Sequence, residues 1–425
     1  MNKLNILGIN ISTLNKKEIL EKIEQFLLAP SAAEGADGKQ HQIVTPNPEF
    51  LIAAANHDEE FFYILNKADL AIADGFGLIL AGWMMGAKIK RIAGVDLIYN
   101  ICALAEKKGK SVYLIGGKDG VTERAGENLK IKFPDLKIAG AEKGLGMGEW
   151  LLEKGEWIKG KEENNELLGR INQAGADIIF TAFGHPKQDK WIFHNLEKMP
   201  SVKIAMGVGG SFDFIAGKIK RAPKFMRILG VEWLWRLIVE PWRWKRIFAA
   251  VVVFPYKFFF WKFVLPHFYR PNVVCLVYKK EDSNFKILLV ARSDQPDHWQ
   301  LPQGGTDSEN IADAGERELA EELGINNIKI KKSCKNIYKY EFGDKLGKYG
   351  IKKKTIIGYK GQKQSLVIAE FLGSDKEIKI NFWDHSAWKW VDSENLINEV
   401  HPVRREAAKI FLEKFKNLQI ANIKL

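Results

Sequence analysis

Three carboxylates in the segment Arg317-Glu-Leu-Ala-Glu-Glu-Leu323 stand at i, i+3 and i+4: Glu318, Glu321 and Glu322. On a helix those spacings share one face. Like charges that close are unfavourable unless a cation offsets them. Hard divalent ions with oxygen ligands do this, and Mg²⁺ combines carboxylates with substrate phosphates. Taken alone, such a run is more often a solvated acidic face.

A second set of residues lies in the first half of the chain. Thr45-Pro-Asn-Pro-Glu49, Ala73-Asp-Gly-Phe-Gly77, Arg91-Ile-Ala-Gly-Val-Asp96, Gly116-Gly-Lys-Asp-Gly120, Phe183-Gly-His-Pro-Lys-Gln-Asp189 and Gly207-Val-Gly-Gly-Ser-Phe-Asp213 are each polar or glycine-rich and lie near strand-like runs. A glycine turn between a strand and a helix N-terminus presents free N–H groups to a phosphate. Gly116–Gly120 has that form for a nucleotide diphosphate, and equally the form of a tight turn that needs positive φ. Asp74 sits where a strand meets such a turn and could project into a cleft as a general base. A turn or helix-cap role is the ordinary alternative. Thr45, Asn47 and Gln188 are unremarkable one by one.

The elements that must position these residues are legible as pattern. Short apolar runs at Ile43–Thr45, Leu70–Ala73, Ser111–Ile115, Lys137–Ala139, Asp177–Ala182 and Lys203–Gly207 alternate with amphipathic stretches such as Asp96–Lys108 and Val121–Phe133. Strands separated by helices predict a parallel sheet, with ligands at the carboxyl ends of its strands. The charged, glycine-rich segment Glu142–Glu166 reads as a mobile excursion, partly helical around Trp150–Lys159.

Between Arg221 and Tyr269 the composition changes: five of the 13 tryptophans fall here (Trp233, Trp235, Trp242, Trp244 and Trp261), and Arg221–Arg246 carries seven Lys/Arg against two Glu. From Arg270 a new α/β pattern runs to the end. These shifts divide the chain into a core at 1–220, a basic, Trp-rich appendage and linker at 221–266, and a second domain at 267–425. At 425 residues, with 46% hydrophobic and 27% charged residues, the chain is globular and long enough for two or three domains. The net charge of +12 favours anionic partners. Three widely spaced cysteines (Cys102, Cys275 and Cys334) indicate neither a disulfide framework nor a zinc site, and the N-terminus lacks the apolar run of a signal peptide. A reducing, cytoplasmic setting is expected.

A spanning helix needs about 20 predominantly apolar residues. The longest uncharged run of the appendage is Ile247–Tyr256, after which come Lys257 and Lys262, each costing about 2.5–3.5 kcal/mol at a bilayer centre. Pro255 weakens a helix further. A peripheral location on the inner face of the membrane is expected instead. Basic residues near an anionic leaflet contribute about 1 kcal/mol each, so the net +5 of Arg221–Arg246 contributes up to about 5 kcal/mol. The alternative is that these aromatics pack between domains.

The ordered motifs TPNPE at 45–49, ADGFG at 73–77, RIAGVD at 91–96, FGHPKQD at 183–189, GVGGSFDFIAG at 207–217, RAP at 221–223 and EWLWRLIVEPWRWKR at 232–246 resemble the WecG/TagA/CpsF glycosyltransferase family over roughly residues 3–250. The resemblance implies a Rossmann-like fold with a C-terminal appendage that helps close the site at the membrane. It also implies inverting transfer of an N-acetylhexosamine, best known as N-acetylmannosamine, from a UDP-sugar to a polyprenyl-diphosphate-linked sugar. By resemblance Thr45, Asn47 and Gln188 line the sugar site, Arg91 supports the cleft, and Arg236, Arg243 and Arg246 approach the diphosphates. Asp74 is the expected base. Residues 1–265 hold no Asp-x-Asp, so transfer without a metal cofactor is expected.

The segment Gly304–Ile325 resembles the Nudix box, G-x5-E-x7-R-E-U-x-E-E-x-G-U, with Gly304, Glu309, Arg317, Glu318, Leu319, Glu321, Glu322, Gly324 and Ile325 as its elements. Only four residues separate Gly304 from Glu309, one fewer than the pattern. With Arg270-Pro-Asn-Val273, Trp299-Gln-Leu-Pro-Gln-Gly304, Gly361-Gln-Lys-Gln364 and Trp388-Lys-Trp-Val391, residues 268–417 resemble RNA pyrophosphohydrolases and dinucleoside-polyphosphate hydrolases. The resemblance implies an α/β/α sandwich in which Glu318, Glu321 and Glu322 bind Mg²⁺ and Arg317 orients Glu309. Arg270, Gln303 and Lys363 would contact phosphate or nucleotide, including an RNA 5′ end, and Asp384 is a candidate remote acid. A bifunctional enzyme is the favoured reading; a nucleotide-sensing second domain and an RNA-associated protein are the alternatives, and a homo-oligomer is compatible with each.

Overall fold

Residue alternation along single strands accounts for most of the architecture. The computed structural model describes residues 2–34, 38–56, 58–118, 120–145, 151–153, 156–281, 284–342 and 358–423. Two compact units, Met1–Phe259 and Phe260–Leu425, are considered separately.

The first unit opens with a hairpin, β1 (Lys3–Ile6) and β2 (Ile9–Ser12), that the pattern of strand-like runs does not include. Its turn places Leu7 and Gly8 at φ 50° and 88°, the geometry of a two-residue hairpin turn. Six further strands form one parallel sheet: β3 (His41–Val44), β4 (Leu70–Ala71), β5 (Ser111–Gly116), β6 (Lys137–Glu142), β9 (Ile178–Ala182) and β10 (Ile204–Gly207), in the order β4-β3-β10-β9-β5-β6. Every pairing is parallel. Because successive side chains of a strand face opposite ways, Val112 and Leu114 enter one core while Tyr113 and Ile115 enter the other, as do Ile178 and Phe180 against Ile179. The helices Lys16–Leu28, Gly94–Lys107 and Val121–Lys132 cover the first face; Lys161–Ala174 and Lys187–Asn195 cover the second. This is the expected α/β fold with a parallel sheet.

Among the described residues of Glu142–Glu166, the helix expected around Trp150–Lys159 is not formed. β7 (Leu151–Glu153) and β8 (Glu156–Lys159) pair antiparallel instead, while Trp150 lies outside the described residues. A helix needs a nucleus that so short a stretch between glycines does not supply, and helix starts only at Lys161.

The appendage forms short helices at Lys224–Ile228 and Glu232–Val239. In the next stretch the helix continues through Pro255, which was expected to weaken it. Pro241–His267 is helical throughout, 27 residues long, and its most apolar 18-residue stretch has a mean hydropathy of 1.7, which passes for a membrane span by length and composition only. Pro255 does not break it. The preceding turn, Ala249–Val253, is wound as π-helix, and such a bulge absorbs a local interruption of the hydrogen-bond ladder.

The second unit carries β11 (Tyr269–Glu281), β12 (Asn284–Arg292), β13 (Gln295–Gln300), β14 (Gln303–Gly305), β15 (Ile328–Glu341), β16 (Gly361–Phe371) and β17 (His385–Asp392). They form one mixed sheet in which β13-β12-β11-β16-β15 are successive neighbours, β14 adds to β11 and β17 to β12. Alternation again makes two layers. Val274, Leu276 and Tyr278 pack with Phe411 and Phe415 of the helix Arg405–Ile423, whereas Val273, Cys275 and Val277 pack with Ala314, Leu319 and Leu323 of the helix Ile311–Leu323. The result is the expected α/β/α sandwich.

Candidate active sites

All six parallel strands of the first unit end at the same edge, so the clusters that follow them meet there. The turn after β3 and the turn after β4 are packed together. Asp74 N–H donates to the Pro46 carbonyl at 2.9 Å, and a Cβ on Gly75 would lie 2.7 Å from Pro48. Asn47 accepts the Phe50 N–H at 3.1 Å and caps the helix Pro48–Ala55, which commits its Oδ1 to structure. Thr45, 7% exposed, directly follows β3.

Asp74 is a predicted site residue whose environment shifts its proton affinity. Its side chain keeps 28% of its surface open yet lies deep among protein atoms. That desolvation raises its proton affinity above the ordinary carboxylate value, against the pull of Arg91, the Gly94 N–H and Arg236; Glu232 adds to the rise. Gly94 N–H donates to Asp74 Oδ2 at 3.1 Å, and Arg91 Nε stands 3.8 Å from Oδ1. Glu232, which pairs with Arg91 at 2.7 Å, went unnoticed in the sequence because it sits 141 residues away from its partner. Asp96 and Arg221 form a two-pronged pair at 2.6 and 2.8 Å beside them.

On the other side of the edge, Gln188 accepts the Gly209 N–H at 2.9 Å, and Gly207 has no room for a Cβ, which would lie 2.5 Å from the Gln188 amide. Gln188 is thus buried against the Gly207–Gly210 loop, 2% exposed. Its neighbour Asp189 is fully buried, and neither carboxyl oxygen meets a hydrogen-bond donor at bonding geometry. Burial, only partly offset by the Gln188 amide and its own N–H, pushes Asp189 up to about 7. Gly116, Gly117 and Gly120 adopt φ 104°, 78° and 72°; Asp119, in the same cluster, lies outside the described residues.

The appendage arginines arrive at this edge, each against a protein group. Arg236 stacks on Phe214 at 4.9 Å. Arg243 pairs with the buried Glu240 at 2.7 Å and lies 3.6 Å from where a Gly210 Cβ would stand. Arg246 pairs with Glu49 at 2.6 Å, and His185 stacks on Phe50 at 4.7 Å with its own proton affinity lowered by burial and then by Arg246.

The second unit gathers its own set. Arg317 reaches Glu309 and Glu321 at 3.0 Å, Glu318 at 2.9 Å and the Gly305 carbonyl at 3.0 Å. The shortened loop closes by placing Asp307 and Ser308 at φ 41° and 69°, a left-handed pair that only a constrained loop holds. Gly304 must be glycine: a Cβ there would lie 1.7 Å from Glu318 Oε2. One Arg317 nitrogen, Nη1, bridges Glu318 and Glu321, so these two carboxylates lie side by side, Glu321 at 60% exposure. The buried Cys275 thiol is pushed upward by burial and then by the charges of Glu322 and Glu318. Glu322 contacts His385 Nε2 at 3.1 Å, a partner the sequence did not suggest; Asp384 precedes it. The donors are hard oxygens of the kind Mg²⁺ takes, so their chemistry fits the ion. Among the described residues no three His, Cys, Asp or Glu side chains are placed to hold a metal, and Arg317 pairs with both Glu318 and Glu321.

Gln303 accepts from the Gln364 amide at 2.9 Å, and Arg270 Nη2 lies 3.0 Å from where a Gly305 Cβ would stand, so both border β14. Lys363 is exposed on β16, opposite Pro271 of β11 and Lys339 of β15.

The family model described as glycosyl transferase WecG/TagA/CpsF matches residues 4–267, and the NUDIX domain model matches 268–413. The chain is 34% identical over 208 residues (49% of this chain, 75% of the relative) to an N-acetylglucosaminyldiphosphoundecaprenol N-acetyl-beta-D-mannosaminyltransferase of Bacillus subtilis strain 168. It is 29% identical over 258 residues (60% and 91%) to the protein of the same description in Staphylococcus aureus strain MRSA252. A crystal structure of a C. elegans Ap4A hydrolase binary complex is matched over 36% of this chain and 98% of its own at 21% identity, TM-score 0.28. With a matching model over more than half its length, the chain belongs to the WecG/TagA/CpsF glycosyl transferase family, and it carries a NUDIX domain behind the transferase.

Proposed function

We propose that the first unit transfers an N-acetylhexosamine, N-acetylmannosamine by analogy with the relatives, from a UDP-sugar to a polyprenyl-diphosphate-linked sugar, with inversion and with Asp74 as general base. The placement of Asp74 carries the reading: a carboxylate of raised proton affinity at the carboxyl edge of a parallel sheet, flanked by cations. Asp74 takes the proton of the acceptor hydroxyl as it attacks the anomeric carbon. Arg236, Arg243 and Arg246 supply positive charge for the departing diphosphate. Thr45, Asn47 and Gln188 shape the sugar pocket.

The second unit hydrolyses a nucleoside-diphosphate-linked substrate. Glu318, Glu321 and Glu322 would hold Mg²⁺, which neutralises phosphate charge and activates water when bound. Arg317 then keeps Glu309, and Arg270, Gln303 and Lys363 meet the substrate's phosphates or base. The appendage docks on the inner face of the membrane. Trp233, Trp242, Trp244 and Phe248 are exposed between its basic residues, a composition suited to a lipid interface.

Arg317 on Glu318 and Glu321 favours a second reading, in which the NUDIX domain senses a nucleotide without turning it over. The full chain, assayed with UDP-N-acetylmannosamine and a polyprenyl-diphosphate-N-acetylglucosamine acceptor, should release UDP. The same preparation, given UDP-sugars, diadenosine polyphosphates and 5′-triphosphate RNA, should release nucleotide or phosphate only with Mg²⁺. Absence of sugar transfer refutes the first assignment. Tight nucleotide binding without turnover decides for the sensor.

A further inference from the structure

We propose that Glu232 is a positioning residue of the transferase centre: it holds the Arg91 guanidinium away from the Asp74 carboxylate. The inference rests on the reading of Asp74 as the base. Arg91 Nη2 is 2.7 Å from Glu232 Oε2, whereas Arg91 Nε is 3.8 Å from Asp74 Oδ1, too far for a hydrogen bond. That Nε–H is buried and meets no acceptor. A buried guanidinium with one arm engaged and one N–H open has a ready alternative, which is to close on the carboxylate beside it. What prevents this is a carboxylate from another part of the chain. Asp74 and Arg91 belong to the sheet edge; Glu232 starts the appendage helix Glu232–Val239 and is only 12% exposed.

The consequence concerns basicity. Around Asp74 stand Arg91, the Gly94 N–H, Arg236 and Glu232, with Arg221 close enough to be felt. An arginine in contact with an aspartate stabilises the ionised form and lowers its proton affinity by about 1–3 pH units. With Glu232 in place, Arg91 is shared and Asp74 keeps the raised proton affinity that favours proton abstraction. With Glu232 gone, Arg91 closes on Asp74 and makes it a weaker base. The appendage therefore sets the strength of the base as well as covering the site.

The test is the pH dependence of sugar transfer by the full chain, comparing wild type with Glu232→Gln, Glu232→Asp, Arg91→Gln, Glu232→Gln/Arg91→Gln and Asp74→Asn. In Glu232→Gln the acid limb of the kcat profile should move about one unit lower and the plateau fall about 10-fold, with KM for the donor within about twofold. Glu232→Asp should recover part of both, and in the Arg91→Gln background the Glu232 substitution should shift the limb much less. An unmoved limb in Glu232→Gln, or an equal shift in the Arg91→Gln background, overturns the proposal. Should Glu232→Gln melt, the Glu232→Asp profile decides: the shorter arm must leave a smaller shift in the same direction. Activity retained in Asp74→Asn would instead remove the base assignment, a result distinct from either.

Discussion

Replacing Asp74 by Asn separates chemistry from architecture at the transferase edge. The amide oxygen can still accept the Gly94 N–H, now donated to Asp74 at 3.1 Å, so the loop before the helix Gly94–Lys107 keeps its tie. What is lost is the proton acceptor. A positioned base contributes about 10²–10⁴-fold, equal to about 2.7–5.4 kcal/mol of barrier at 1.36 kcal/mol per decade. Stability should move the other way. Burial raises the proton affinity of Asp74, so the folded state holds this proton above the pH at which the unfolded chain has released it. Its contribution is complete below the ordinary carboxylate range and is lost as pH rises toward the raised value. At neutral pH Asp74→Asn should therefore melt no lower than wild type. The assay is UDP release from UDP-N-acetylmannosamine with a lipid-linked acceptor across pH, alongside thermal melting. A fall of less than 10-fold in kcat with the acid limb intact would refute the base assignment; a large fall accompanied by a lower Tm would attribute the loss to the fold.

Three further outcomes are expected. Asp189→Asn should flatten the pH dependence of stability. In wild type the span from the ordinary 3.8 to about 7 corresponds to about 4 kcal/mol lost as pH rises through that window, so denaturant midpoints at pH 5 and pH 8 should converge in the variant. Glu321→Gln should abolish Mg²⁺-dependent release of phosphate or nucleotide while leaving sugar transfer within about twofold, read by running both assays on one preparation. Gly304→Ala should displace the Glu318 carboxylate, which a Cβ would approach to 1.7 Å, and lower hydrolysis at least about 10-fold; unchanged turnover would show that Glu318 is not held where the reaction needs it.

Much of this molecule is written in local pattern. Short apolar runs separated by helical stretches mark five of the six strands of the parallel sheet to within one or two residues, because a strand buried on both faces has no polar alternation to blur it; the edge strand β6, which has no buried residue, runs three residues past its expected end at Ala139. The carboxylate spacing in Glu318-Leu-Ala-Glu-Glu322 is legible for the same reason, since a helix turns every 3.6 residues wherever it forms. Pattern misleads where neighbours are few: the β7–β8 hairpin and the helix through Pro255 depend on what each short segment pairs with, not on its own residues. Pairwise chemistry between distant positions is not visible in sequence at all. That Glu232 takes Arg91 and that His385 meets Glu322 are decided by the fold, whereas the Arg317–Glu309 pair was already implied by the motif. Side-chain charges interact through space over a few ångströms, and only the packed chain sets which residues come that close.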